Sequence, residues 1–244
     1  STLKIPSGDI TNGPLLLSAA QSGCDLILST GMSTPEDIEE ALGILAFGFS
    51  GDTSEPEAAV FRAAFSSETG QAVLREKVTL LHCTTAYPTP YADANLKVMA
   101  TLAEKFGLAV GYSDHTPGIA VATAAAALGA TIIEKHFTMD RDLPGPDHQA
   151  SLEPGELTAM VEAVRNVEAA LGRSEKAPAP SEQGNMAIAR KSLVTLKSVA
   201  AGEAFSVENL GIKRPGNGIS PMQYWRWLGR PAPRDFPEGV LVSE

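Results

Sequence analysis

GYSDHTPG (residues 111–118) and TIIEKHFT (residues 131–138) each end an apolar run on a histidine, His115 in the first and His136 in the second. Between them lies AVATAAAALG (120–129), an Ala-rich helical pattern. An apolar run with a polar mouth, a helix, and a second apolar run with a polar mouth is the signature of a βαβ unit, and so of a parallel sheet. The same beat extends in both directions. Upstream, LKIPSGD (3–9), DLILSTGM (25–32) and VTLLHCTTAYP (78–88) read as strands. A helix through PLLLSAAQSG ends at Gly23, and a second opens at STPEDIEEALGIL, with Ser33 or Thr34 as N-cap and an acidic first turn. Downstream, PGELTAMVEAVRNVEAALG has helical spacing. Continuous apolar strands fit a sheet covered on both faces.

Five strands within residues 3–173 suit either an open doubly wound sheet or the last five units of a (β/α)8 barrel, which takes about 250 residues when whole. Residues 39–77 interrupt the rhythm and are expected to form a surface excursion with its own short helix. SEKAPAPSEQGN (174–185) reads as a linker, and residues 188–244, with SLVTL, EAFSV and LGIKR between Gly and Pro turns, read as a small, mostly β domain.

The composition narrows the function. A net charge of -10 lacks the basic face that nucleic acids require. No apolar run reaches the ~20 residues of a membrane span. The two cysteines, Cys24 and Cys83, have no metal-type spacing, and a reduced, cytoplasmic setting is expected.

Chemistry concentrates where the strands end, as it does in α/β folds. Two imidazoles at successive strand mouths suit a divalent first-row metal with open coordination positions. His82 sits earlier in its strand and reads as a packed histidine; His148 is a reserve ligand. Lys4 enters an apolar strand and needs a partner, because a buried unpaired ammonium is costly. Ser7, Ser29 and Ser113 at neighbouring strand ends suit a phosphate. Singly, each serine reads as a turn or cap residue. Asp147, between Pro146 and His148, is the carboxylate of its loop best placed to hold a polar ligand. KRPGNGISP (213–221) reads, on residues alone, as an exposed loop.

Taken in order, KIPSGDITNGPLL, LILSTGMST, LLHCTTAYPTPY, VGYSDHTPGIA, IIEKHFTMDRDLPGPDHQASLEP and IKRPGNGISP resemble the sialic acid synthase family, the bacterial N-acetylneuraminate synthases with their legionaminate and pseudaminate relatives. The resemblance implies a (β/α)8 barrel followed by a small antifreeze-like (SAF) domain. On it, residues 1–173 are the last five βα units of the barrel without the first three, 174–187 the linker and 188–244 the SAF domain. It implies condensation of phosphoenolpyruvate with N-acetylmannosamine, or with the acceptor of a legionaminate or pseudaminate synthase, and release of phosphate. The implied cofactor is a divalent ion, Mn with Mg or Co as alternatives, on His115 and His136. Lys4, Ser7, Ser29 and Ser113 would hold phosphoenolpyruvate. Asp9, Thr85, Tyr87 and Asp147 would contact the sugar, and Glu134 and Asp9 would be catalytic. A domain-swapped homodimer is implied, in which Arg214 reaches the N-acetyl group in the partner's site. A non-catalytic sugar-binding protein is the alternative of another class, and the chain alone is expected to be inactive.

Overall fold

The structure, a computed structural model, describes all 244 residues and divides into two compact units, Ser1–Gly172 and Arg173–Glu244. In the first unit, β1 (Thr2–Ile5) leads to α1 (Gly13–Gln21), and β2 (Asp25–Ser29) to α2 (Pro35–Ser50), α3 (Ala58–Ser66) and α4 (Glu68–Lys77). Then follow β3 (Val78–Cys83), α5 (Val98–Phe106), β4 (Ala109–Asp114), α6 (Ala120–Ala127), β5 (Ile133–Lys135) and α7 (Pro154–Leu171).

All five strands pair in parallel and in chain order, β1-β2-β3-β4-β5. A doubly wound sheet reverses its strand order part-way; this one does not. One contact shows the curvature. Lys4 on β1 lies 3.3 Å from Glu134 on β5, the opposite edge. A flat sheet would separate those strands by about 19 Å at 4.7–4.9 Å per strand. The sheet therefore curls into a partial barrel.

Alternation along the strands sorts the side chains. Ile5, Leu28, Leu80 and Val110 form one cross-strand row and pack into the main core with the helices. Lys4, Ser29, Ser113 and Glu134 point to the other face. The helix-facing row is what makes the strands read as apolar, and the intervening positions are free to carry polar groups.

Residues 39–77 are a surface excursion only in part: 51–66 are exposed or half-buried, and the short helix α3 has no buried residue. Residues 39–50 continue α2, and Leu42, Leu45, Ala46 and Phe47 are buried in the core. Gly43 and Gly48 disguise this in the sequence, because they weaken a helical pattern. Here they permit close approach: a Cβ on Gly48 would stand 2.6 Å from Ala20, and one on Gly43 would stand 2.9 Å from the Phe61 carbonyl. Thr34 is the N-cap and forms a capping box with Asp37.

His82 is packed, as its position suggests. It is buried, and Nε2–H donates to the Ala94 carbonyl at 2.9 Å. Burial pushes its pKa below the ordinary value, the carbonyl opposing. The unfolded chain therefore takes up a proton first, near pH 6.5. Stability conferred by the neutral ring is full above that pH and declines as pH falls towards the folded pKa. The thermal midpoint should drop between about pH 7 and 5.5, and His82→Asn should flatten the slope; an unchanged slope would count against this assignment.

In the second unit, α8 (Gln183–Ala189) occupies part of the stretch read as a linker. β6 (Ser192–Thr195) and β7 (Leu210–Lys213) pair antiparallel, and α9 (Tyr224–Trp227) follows. EAFSV is not a strand; it makes one bridge, Ala204 to Pro231, while Phe205 turns into a core with Trp227 and Phe236. An alternating pattern over so few residues is met equally well by a short segment held by one ring and by backbone hydrogen bonds linking Glu203 and Phe205 to residues 229–232.

Candidate active site

The polar ends of β1 to β5 converge within the first unit. His115 follows β4 and His136 follows β5, and their ring centroids lie 5.4 Å apart. Tyr87 packs against both, at 4.3 Å from His115 and 5.5 Å from His136. His115 is buried, and its Nδ1 lies 2.8 Å from the Thr84 carbonyl. A carbonyl only accepts, so Nδ1 carries the proton and the Nε2 lone pair is left available. Burial lowers the His115 pKa, which favours the neutral ring; the Thr84 carbonyl acts against this. A backbone carbonyl leaves no trace in a residue pattern, so the role of Thr84 has no signal in the sequence.

Glu134 is the hub of the polar face. Ser113 Oγ donates to its Oε1 at 2.7 Å, and the Lys4 ammonium sits 3.3 Å from its Oε2. Lys4 has a partner, but β1 leaves it exposed, so burial does not require the pair as the sequence suggested. Ser7 lies in the turn after β1; its Oγ accepts from the Gly31 amide at 3.0 Å and is 3.1 Å from Cys83 Sγ. A Cβ at Gly31 would stand 2.5 Å from Thr85 Oγ1 and 2.8 Å from Ser7 Oγ, so only glycine lets these hydroxyls close in. Ser29 Oγ is buried without a hydrogen-bond partner. Burial raises the Tyr87 pKa, and the neighbouring Cys83, Asp147 and Glu134 act in the same direction.

Other residues stand apart. Asp9 is engaged locally, its carboxylate accepting from Asn12 Nδ2 at 3.2 Å. His148 is tied to Thr138 Oγ1 at 2.7 Å through Nδ1. Arg214 belongs to the second unit, where it is exposed and its Nε donates to the Ala189 carbonyl at 3.2 Å.

No three His, Cys, Asp or Glu side chains gather as a complete metal cage. Two adjacent imidazoles, one with its tautomer set by Thr84, fit a divalent ion whose remaining positions are open to other oxygen donors.

The fold also creates a buried ion pair that no local sequence pattern announces. Lys135 Nζ lies 2.8 Å from Asp114 Oδ2, with side-chain exposures of 2% and 0%. Both residues belong to the helix-facing side of their strands, one step from the site-facing Ser113 and Glu134.

Comparison with known proteins agrees with this architecture. The chain belongs to the NeuB family, which matches residues 1–176, and a SAF domain matches residues 190–244. It is 46% identical over 99% of its length to N,N'-diacetyllegionaminic acid synthase of Campylobacter jejuni, and 43% identical over 93% to the protein of that name from Legionella pneumophila. It spans 65% and 58% of those two proteins' lengths. The crystal structure of an N-acetylneuraminic acid (sialic acid) synthetase from Leptospira borgpetersenii superposes with a TM-score of 0.59, at 37% identity, covering 76% of this chain and 56% of that one. The order of the acceptors changes accordingly. N-acetylmannosamine, the acceptor expected first from the sequence, is less well supported than the acceptor of a legionaminate synthase, because the legionaminic enzymes share more of the chain at higher identity.

Proposed function

We propose that the protein containing this chain condenses phosphoenolpyruvate with an acceptor sugar bearing two N-acetyl groups, forming a nine-carbon α-keto acid and releasing phosphate. The observation that carries the reading is the meeting of Lys4 and Ser113 on Glu134, beside the His115–His136 pair. Kinship with the legionaminic acid synthases supports the choice of acceptor.

A divalent ion, manganese with magnesium or cobalt as alternatives, would be held by His115 and His136 and would supply Lewis acidity towards the sugar aldehyde. Lys4 binds the anionic groups of phosphoenolpyruvate, with the Ser7 and Ser29 hydroxyls as short donors around it, while the single Ser113 proton goes to Glu134. Tyr87, Asp147 and Thr85 contact the sugar. As C3 of phosphoenolpyruvate bonds to the aldehyde carbon, the carbonyl π pair moves onto the aldehyde oxygen, which takes up a proton to become a hydroxyl, and positive charge develops at C2. Glu134 accepts the proton of the water that adds there, and Lys4 and Ser113 keep its carboxylate aimed. Collapse to the ketone breaks the C2–O bond and expels phosphate. With ¹⁸O in the bridging position of phosphoenolpyruvate, the label should leave in the phosphate; unlabelled phosphate would rule out this route.

Arg214 acts in the partner subunit's site of a homodimer, its planar donors suited to an N-acetyl oxygen. Mixing full-length Arg214→Ala with full-length His115→Ala should restore some activity, with near-normal sugar affinity in the rescued sites. Arg214→Ala alone should mainly raise the sugar KM. No rescue, despite demonstrated subunit exchange, would place Arg214 within its own chain's chemistry or outside the chemistry altogether.

A further inference from the structure

The two histidines are preceded by the two members of the buried ion pair: Asp114 stands before His115 and Lys135 before His136. The link is closer than one contact. Asp114 Oδ1 accepts from both the amide and the hydroxyl of Thr116, each at 2.8 Å, and so closes a loop around His115. Lys135 Nζ bonds Asp114 Oδ2 and also donates to the Thr116 carbonyl. One lysine from β5 thus grips the residues on either side of His115. The rest of each histidine's backbone is held as well. The His115 carbonyl accepts from the Thr89 amide and the His136 carbonyl from the Leu152 amide, both at 2.8 Å.

We propose that Lys135, Asp114 and Thr116 form a positioning device that sets the spacing and orientation of the His115–His136 pair. This rests on the reading of that pair as a metal-binding site. The physical ground is the place of the charges. The pair lies on the helix-facing side of the sheet, away from the site face, and so touches no substrate. A desolvated ion pair is weak evidence for a purely stabilising role, because well-packed apolar residues of similar volume often serve as well. Its geometric consequence is specific. With both ends of the lysine's bonds fixed, β4 and β5 cannot slip or splay where their histidines emerge. Partners behind metal-binding histidines commonly set affinity by about 10–100-fold.

The test is Co(II) binding, followed by visible absorbance, in the full-length protein. The paired substitution Asp114→Asn with Lys135→Met leaves no buried lone charge and keeps the amide oxygen available to Thr116. It should keep the thermal midpoint near that of the parent but weaken Co(II) about 10–100-fold and alter the ligand-field spectrum. The phosphoenolpyruvate KM should change little, since Lys4, Ser7 and Ser29 lie on or beside other strands. Should the paired variant fail to fold, Thr116→Val removes one bond without touching charge and should weaken Co(II) by a smaller factor with an altered spectrum. If the folded variant binds Co(II) within about twofold of the parent with the same spectrum, the positioning role is wrong while the metal site stands. If the parent does not bind Co(II), or His115→Ala binds it equally well, the site reading falls and takes this proposal with it.

Discussion

Full-length His115→Ala is expected to lose at least about a hundredfold in kcat, while the phosphoenolpyruvate KM moves little. Lewis-acid stabilisation of developing charge is worth several kcal/mol, and each 1.36 kcal/mol is tenfold in rate. His115 supplies a neutral Nε2 whose orientation is set by the 2.8 Å Nδ1 contact to Thr84, so alanine removes a prepared donor. Lys4, Ser7 and Ser29 lie on or beside other strands, which is why phosphoenolpyruvate binding should survive. His136→Ala should behave alike, because the rings lie 5.4 Å apart and act as one pair. Near-normal turnover by either variant in metal-replete buffer would end the ligand assignment.

Lys135→Met should cost the first unit about 3–5 kcal/mol, because it leaves the fully buried Asp114 carboxylate without its counter-charge. For a unit of this size that corresponds to a fall in thermal midpoint of roughly ten degrees. The contrast is the Arg165–Glu168 pair on α7, whose side chains are 72% and 50% exposed. Breaking it should cost less than about 1 kcal/mol, since water already solvates both charges. Calorimetry on the two variants decides the matter; equal, small losses would mean that Asp114 finds another partner.

The polar mouths of the strands are legible in the amino-acid sequence because period-two alternation and the ends of apolar runs are local properties. Lys4, Ser113, Glu134 and the two histidines all declare themselves in this way. The choice between a doubly wound sheet and a barrel is not contained in the beat of the elements. It depends on a contact between Lys4 and Glu134, at opposite ends of the five-strand order. The sequence pattern ends α2 too early, because Gly43 and Gly48 look like breakers until the residues they pack against are known. α5 is masked by the turn residues of AYPTPYADAN that precede it. The Asp114–Lys135 pair is hidden for a further reason. Charged residues beside functional ones are naturally taken as solvated, and only the face of the strand shows that these two are sealed under the helices.

The most direct measurement of the proposed chemistry is phosphate release by the full-length protein with phosphoenolpyruvate, a divalent ion and a panel of N-acetylated sugars. Release is expected only when acceptor and ion are both present. It should be fastest with a di-N-acetylated acceptor, slower with N-acetylmannosamine, and abolished in Lys4→Met. Phosphate release that is indifferent to the acceptor, or none with any amino sugar in metal-replete buffer, would contradict the assignment.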